Sequence, residues 1–525
     1  MLKKLPKGVS DFKEIISEGY LYVDKTMYLY DLLRNEKMVF VSRPRRFGKS
    51  LTLSTLYYLL KGEKALFKDT WIYDKWDWQE WPVVRLNLTD VSSKSAETLA
   101  KELLNIVKIQ ASIFGITIDE DTEPNGALRE LIIKAKYKFG KDVIVLVDEY
   151  EKPILDNISD KSLLSSLKKL LREFYSVLKG QEEHIKFLFM TGLTKFTKMG
   201  VFSTLNNLND VTFDERYSQM FGYNDEEILY FFKPYIDLIV EKYRISQDEL
   251  IELLKEYYNG FSFDGIHKVY NPYAVVMFFA KQEFLPFWSL SGGSQFVYNY
   301  LKEKNVALDK VLGKELTEAT FTRKEIENTE PVVFLTQAGY LTFSEAIRTE
   351  PLEGRVFKVG IPNIDVQTEL DTLLLETQYG VQEDNLVDKV RALKNSIKEE
   401  KFEDMITVLN SILSELPYES KKEISYENYL YLVFGMAGFK FDSEKHTIGG
   451  RPDLIVRWNG KVLIFELKID EEPEIALCQI KEKGYHIPHM GKMVYLFGVN
   501  ISSKSGLIQN WKVEVLNSAE GGKRV

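Results

Sequence analysis

MVFVS (38–42), RPRRFGKS (43–50) and LTLSTLYYLLKG (51–62) follow one another without a gap, and they read as strand, loop and helix. The first run is short, apolar and suited to a buried strand, and the third carries apolar residues at helical spacing. Between them Gly48, Lys49 and Ser50 fall at the helix N-terminus. Backbone N–H groups point outward there and the helix dipole favours negative charge, so the segment is suited to cradling phosphates. In such a loop Arg45, Arg46, Phe47, Gly48 and Leu51 line the cradle. Lys49 reaches the β- and γ-phosphates, and the Ser50 hydroxyl holds Mg²⁺. The usual pattern opens on glycine. Here Arg43 takes that place, followed by Pro44, and arginine lacks glycine's freedom at positive φ. A plain helix N-terminus with a serviceable serine is the competing reading.

A second segment shifts that balance. Val143 to Val147 are five consecutive apolar residues, mostly β-branched, and Asp148 and Glu149 follow them. Such a run suits a buried parallel strand, and ligands of open α/β sheets bind at the C-terminal ends of strands. Asp148 is the candidate ligand of Mg²⁺, directly or through water, and Glu149 the group that orients or deprotonates an attacking water. The run IKFLFM (185–190) predicts a third strand, with Thr191 just past it as a candidate γ-phosphate sensor and TGLTK (191–195) as its end. The expected fold here is α/β, a P-loop parallel sheet with flanking helices.

YVDKT (22–26), SRPRRFGKSL (42–51), VDEYEKP (147–153) and FSTLNNLND (202–210) together resemble the bacterial and archaeal AAA-ATPase-like family. The likeness runs over roughly residues 5–280, through YNGFSF (258–263) and VYNPYAV (269–275). It implies an ATP-binding P-loop domain in which Arg43 is a family variant of the loop. Glu151 stands where that family more often carries Asp, a change that keeps the charge.

Composition bounds the rest. At 525 residues, 45% hydrophobic and 28% charged, the chain is long enough for several cores. Its longest apolar runs fall far short of the ~20 residues of a spanning helix, and the basic start lacks the apolar stretch of a secretory signal. The single cysteine, Cys478, leaves no intramolecular disulfide and no thiolate metal cage. Together these point to a cytoplasmic protein without a membrane partner. The net charge of −9 argues against a coat of positive charge for DNA, although a few placed Lys or Arg suffice for phosphate contacts.

From Asp225 to Tyr258 the spacing is helical, as in a lid closing on nucleotide. PVVFLTQAGYLTF (331–343) reads as helix, turn and strand, with a winged-helix-like module as an open reading. Phe278, Phe279 and Trp288 are expected in the core, and Arg216 in a surface salt bridge rather than at a phosphate. A charged helical stretch then leads to a readable order, α-β-β-β-α-β. It comprises a helix over 426–437, a strand over 439–447, a hairpin of LIVRW and KVLIFEL around Asn459 and Gly460, a helix over 473–485 with Pro473 at its start, and a buried strand over 492–499.

Asp453 and Glu466 each lie six residues from that turn, so they are near cross-strand partners. Two facing carboxylates repel unless one is protonated or a cation sits between them, and oxygen ligands suit Mg²⁺ or Mn²⁺. Lys468, two residues beyond Glu466, points to the same face. It is placed to position or polarise a water attacking phosphorus. Glu427 on the preceding helix is a candidate further acid of the metal site, held through water, and Gln479 on the following helix a candidate for orienting substrate or water. His446 is read as structural.

GRPDLIV, IFELK and ALCQIKEKGY, over about residues 400–515, resemble the PD-(D/E)XK nuclease superfamily, in the branch commonly fused to the ATPase family above. The resemblance implies a restriction-endonuclease-like domain. Asp453 and Glu466 match its metal-binding acids and Lys468 its catalytic lysine, while Gln479 and Tyr485 match positions typical of the branch. The expected organisation is an ATPase domain (1–215), a helical lid and middle region (216–370), a helical linker (371–400) and a nuclease-like domain (401–525). The expected function is Mg²⁺- or Mn²⁺-dependent phosphodiester hydrolysis under ATP control, with DNA favoured over RNA and a homo-oligomer compatible. The alternative is a signalling or scaffold ATPase whose nuclease fold only binds nucleic acid or protein.

Overall fold

The computed structural model describes residues 2–158, 160–194, 205, 207–291, 294–304, 306, 311–322, 329–348, 353–416, 423–441, 452–458 and 460–516. The chain divides into two units, Met1–Phe287 with Lys314–Asn363, and Trp288–Gly313 with Ile364–Val525. Residues 371–400, read above as a linker, lie mostly within the helices Ile364–Tyr379 and Glu383–Lys398 of the second unit.

The first unit is organised by β1 (Met38–Ser42), β2 (Val83–Asn87), β3 (Val143–Asp148), β4 (Ile185–Gly192) and β5 (Asn209–Asp210). All pair in parallel, in the order β2-β3-β4-β1-β5. Every residue of β1 and β3 is buried, as for strands covered on both faces. Helices Ala96–Ile113, Pro124–Phe139 and Lys161–Gly180 fill the crossovers. Their starts carry the expected signals: Ser95 and Asp160 accept first-turn N–H groups, and Pro124 stands in the first turn. Because β4 runs between β1 and β3, the C-terminal ends of three strands lie side by side: Ser42, Thr191 with Gly192, and Asp148.

Beyond the sheet, helices Asp225–Phe231, Lys233–Tyr243, Gln247–Tyr258 and Pro272–Lys281 bury one cluster. It is centred on Phe232, Ile236, Leu254, Tyr258 and Phe279, and Leu21 and Val23 of the N-terminal YVDKT region pack into it. Phe278 and Phe279 are therefore core residues, and Trp288, in the second unit, is buried as well. PVVFLTQAGYLTF forms the helix Pro331–Ala338, a left-handed turn at Gly339 and the start of β7 (Thr342–Ile347), whose antiparallel sheet has the order β6 (Glu315–Thr317), β8 (Val356–Gly360), β7.

In the second unit the helix Glu423–Met436 precedes β9 (Lys440–Phe441), β10 (Leu454–Trp458), β11 (Lys461–Ile469), the helix Pro473–Glu482, and β12 (Met493–Ile501). β10 and β11 form the hairpin, and β11 and β12 are parallel across the helix. One strand was not anticipated: β13 (Ile508–Leu516) pairs antiparallel with β12 and ends the sheet β13-β12-β11-β10-β9.

Candidate nucleotide and metal sites

In the phosphate loop the backbone turns where the sequence did not suggest. Arg43 is not left-handed; positive φ falls at Arg46 (67°) and Gly48 (89°). The Arg43 guanidinium leaves the loop and is buried. It donates to the carbonyls of Ser42 and Thr212, both at 2.8 Å, and Tyr217 at 3.2 Å, and lies 4.1 Å over the Phe263 ring. Burial lowers its pKa to about 9, while the Asp210 and Asp264 charges act against that shift and the three carbonyls take its hydrogen bonds. Phe47 is buried beside Phe261 and Phe263, with ring centroids 4.8 and 5.4 Å apart. Arg46 stays exposed, 4.8 Å over Tyr273. Leu51 sits half-buried in the first turn of the helix Lys49–Leu60.

Lys49 and Ser50 open that helix. The Lys49 ammonium is buried and donates to the carbonyls of Arg43 (2.9 Å) and Pro44 (3.0 Å), which loop it back over its own strand. Burial pulls its pKa down, while Glu149, Asp148 and Glu151 support its charge. The Ser50 hydroxyl donates to Asp148 at 2.7 Å. Burial pushes the Asp148 carboxyl above its ordinary value, the Ser50 bond acting against it. Glu149 adopts φ 49°, a conformation that costs a non-glycine residue on the order of 1 kcal/mol and needs surrounding structure to hold it. Thr191 is fully buried opposite Val41 of β1, and its hydroxyl finds no hydrogen-bond partner among the described residues.

No site role was read from sequence for Tyr150 or for Glu151, of which only the retained charge was noted. Glu151 is 1% exposed, and its carboxyl accepts the backbone N–H groups of Leu193 and Thr194. The Tyr150 hydroxyl donates to the Thr194 carbonyl at 2.9 Å. Arg216 pairs at the surface with Asp214 (2.6 Å) and Glu36 (3.4 Å), as its sequence setting suggested.

The second site lies on the hairpin of the C-terminal sheet. Leu454 pairs with Phe465, so Asp453 and Glu466 come opposite each other one step further out. Asp453 accepts the Leu467 N–H at 2.6 Å. Glu466 is 2% exposed; one of its oxygens accepts from Lys468 at 3.3 Å and from the Gln479 amide, while the other has no partner among the described residues. Burial first, and then the neighbouring Asp453 charge, push Glu466 up to about 7. Tyr485 is buried, and burial raises its hydroxyl pKa.

A glycine makes this arrangement fit. Gly498 of β12 pairs with Glu466, and a methyl there would collide with the Pro473 carbonyl. Its absence lets the helix Pro473–Glu482 settle on the sheet and bring Gln479 to Glu466. Glu427 is half-buried on the helix Glu423–Met436, which packs Phe434 on Phe465; Phe465 and Glu466 face opposite sides of the strand. Among the described residues no three His, Cys, Asp or Glu side chains form a metal cluster.

Residues 6–202 match the family described as "Predicted AAA-ATPase", and residues 421–511 the PD-(D/E)XK nuclease superfamily. A protein of Azotobacter chroococcum mcd 1, named an uncharacterized protein in the vnfD 5' region, is similar throughout. It is 33% identical over 532 residues, covering 98% of this chain and 99% of the relative. The chain belongs to the AAA-ATPase-like family.

This AAA-ATPase-like chain thus fuses an ATPase-like domain to a nuclease-superfamily domain. Lys49, Ser50, Asp148, Glu149 and Thr191 meet at the strand ends of the first, and Asp453, Glu466, Lys468 and Gln479 in the second. Arg45 keeps its place in the loop, half-buried. Lys195, Phe202, Ser203, Thr204, Asn206, His446, Gly449, Gly450, Arg451 and Asn459 lie outside the described residues. Among those described, no helix is long and apolar enough to cross a membrane.

Proposed function

We propose that the first unit binds and hydrolyses ATP and that the second cleaves phosphodiester bonds of DNA under its control. The observation that carries the nuclease half is the buried, unpartnered Glu466 oxygen facing Asp453 and flanked by Lys468. An isolated buried carboxylate pair is unfavourable, and this one fits Mg²⁺ or Mn²⁺, which Asp453 and Glu466 would hold. Such a cation, when bound, makes its water more acidic and stabilises charge growing on phosphate. Lys468 orients the attacking water and offsets the developing negative charge, and Gln479 keeps Glu466 in position. Glu427 enters this reading only through water.

In the first unit the backbone around Gly48 cradles phosphates, and Lys49 exchanges its loop carbonyls for phosphate oxygens. Ser50 and Asp148, a hydroxyl and a carboxylate joined by a hydrogen bond at the head of the cradle, would hold Mg²⁺. Glu149 deprotonates or orients water, and Thr191 reads the γ-phosphate. In this reading residues 1–215 form the ATPase domain, 216–370 the lid and middle region, and 401–525 the nuclease domain. The protein works in the cytoplasm.

The test is a cleavage panel of plasmid, single-stranded DNA and RNA, with Mg²⁺, Mn²⁺ or EDTA, with and without ATP. We expect metal-dependent DNA cleavage that Glu466→Ala abolishes while ATP binding persists. A Glu466→Ala protein that cuts at the wild-type rate removes the nuclease assignment. Binding without cleavage under every metal supports the scaffold alternative.

A further inference from the structure

Two loops leave neighbouring strands at the nucleotide site, and three hydrogen bonds tie them together. The loop after β3 supplies Tyr150 and Glu151; the loop after β4 supplies Leu193 and Thr194. The tie is fully enclosed. Tyr150 and Thr194 are 0% exposed and Glu151 1%, and Tyr175 donates to the Tyr150 carbonyl from behind at 3.3 Å. Room for the Glu151 carboxyl exists because residue 192 is glycine; a methyl there would collide with it. The second Glu151 oxygen and the Thr191 and Thr194 hydroxyls have no hydrogen-bond partner among the described residues. Three buried polar atoms left this way in one place exceed what folding alone favours.

Glu149 lies between two fixed points. On one side its N–H donates to Asp148 at 3.1 Å, and Asp148 is held by Ser50. On the other stand Tyr150 and Glu151, held to 193–194. A left-handed glutamate persists only where its surroundings over-determine it, and this tie supplies the missing constraint. We propose that Glu151 is the positioning residue of the nucleotide site: by clamping the end of β4, it holds Glu149 in its left-handed conformation and Thr191 in register with it. Glu151 touches no reacting atom. It fixes the spacing between the group that handles water and the group that reads the γ-phosphate, so its loss lowers turnover and leaves nucleotide affinity in place.

The proposal rests on the ATPase reading, and one set of assays separates the two. Full-length wild type, Lys49→Ala, Glu151→Ala, Glu151→Gln and Gly192→Ala are compared for ATP affinity and for kcat and KM of phosphate release. No release by the wild type, or release equal to that of Lys49→Ala, overturns the ATPase reading and this proposal with it. With the wild type active, we expect Glu151→Ala to lose at least tenfold in kcat with KM and ATP affinity within threefold. Glu151→Gln, whose carbonyl accepts the same two N–H groups, should recover most of that rate. Wild-type kcat in Glu151→Ala, equal losses in kcat and affinity, or no rescue by Gln each overturn the proposal alone. Should Glu151→Ala fail to fold, Gly192→Ala decides: it displaces the same carboxyl while leaving it in the chain, and an unchanged kcat there is equally fatal.

Discussion

Asp365 shows at the scale of one residue how burial writes a pH dependence. It is 3% exposed and accepts the Trp288 N–H at 3.0 and 3.1 Å through its two oxygens, yet burial holds its pKa at about 8. Its folded value is raised above the unfolded one, so the stability contributed by its neutral form is complete below about pH 4. That contribution is lost as pH rises toward 8, at up to about 1.4 kcal/mol per unit. Asp365→Asn keeps an acceptor and cannot ionise. Denaturant titrations of both proteins should coincide near pH 4 and diverge in the variant's favour toward pH 8. Parallel curves across that range would show that Asp365 ionises freely in the fold. At this scale placement was readable in sequence wherever residue type and element position agreed, as for Lys49 at a helix start, Asp148 at a strand end and Glu466 opposite Asp453. Arg43 was the exception. The sequence raised a conflict with positive φ, but the turn is made at Arg46 and Gly48, and whether a particular backbone turn uses αL is decided by tertiary fit.

Elements were legible where periodicity was strong and hidden where the deciding feature was an approach between elements. The hairpin register followed from the Asn459-Gly460 turn and placed Asp453 against Glu466 before any coordinates. For Glu427, helical periodicity gives the face of the helix and leaves open which side of the sheet receives it. β13 was missed at the exposed edge, where burial cannot enforce a full apolar alternation. Gly498 carried no signal of its own, yet the seating of the helix Pro473–Glu482 depends on it. A methyl there must push the helix outward, at a cost of about 1–3 kcal/mol for such overpacking. For Gly498→Ala we expect a lowered denaturation midpoint with the fold retained, and DNA cleavage reduced more than tenfold as Gln479 withdraws from Glu466. Wild-type cleavage by a folded Gly498→Ala protein would mean that Gln479 has no part in holding Glu466.

The control of one site by the other proposed above belongs to the whole molecule and has a thermodynamic signature. If nucleotide binding in the first unit changes the metal affinity of the second by some factor, the metal changes nucleotide affinity by the same factor. A coupling of about 1–3 kcal/mol corresponds to roughly 5–150-fold. Calorimetric titration of Mn²⁺ with and without a non-hydrolysable ATP analogue, and of the analogue with and without Mn²⁺, should give matching ratios. Glu466→Ala should erase the coupling of the second-site Mn²⁺ while leaving the nucleotide's own metal in place. Ratios of one in both directions would leave the two activities sharing a chain without sharing control.

The order β2-β3-β4-β1-β5 also has a consequence in time. Met38 of β1 pairs with Leu188 of β4, so the phosphate loop is synthesised well before the strand that seats it. At ribosomal rates of about 5–20 residues per second, that interval lasts on the order of ten seconds. During it the nascent loop has its glycine and its lysine but no wall on either flank. A ribosome-stalled chain ending before Ile185 should therefore fail to retain nucleotide, and one extended past Phe263, with the exit tunnel cleared, should be the first to carry β4, β5 and the partners of Arg43 and Phe47.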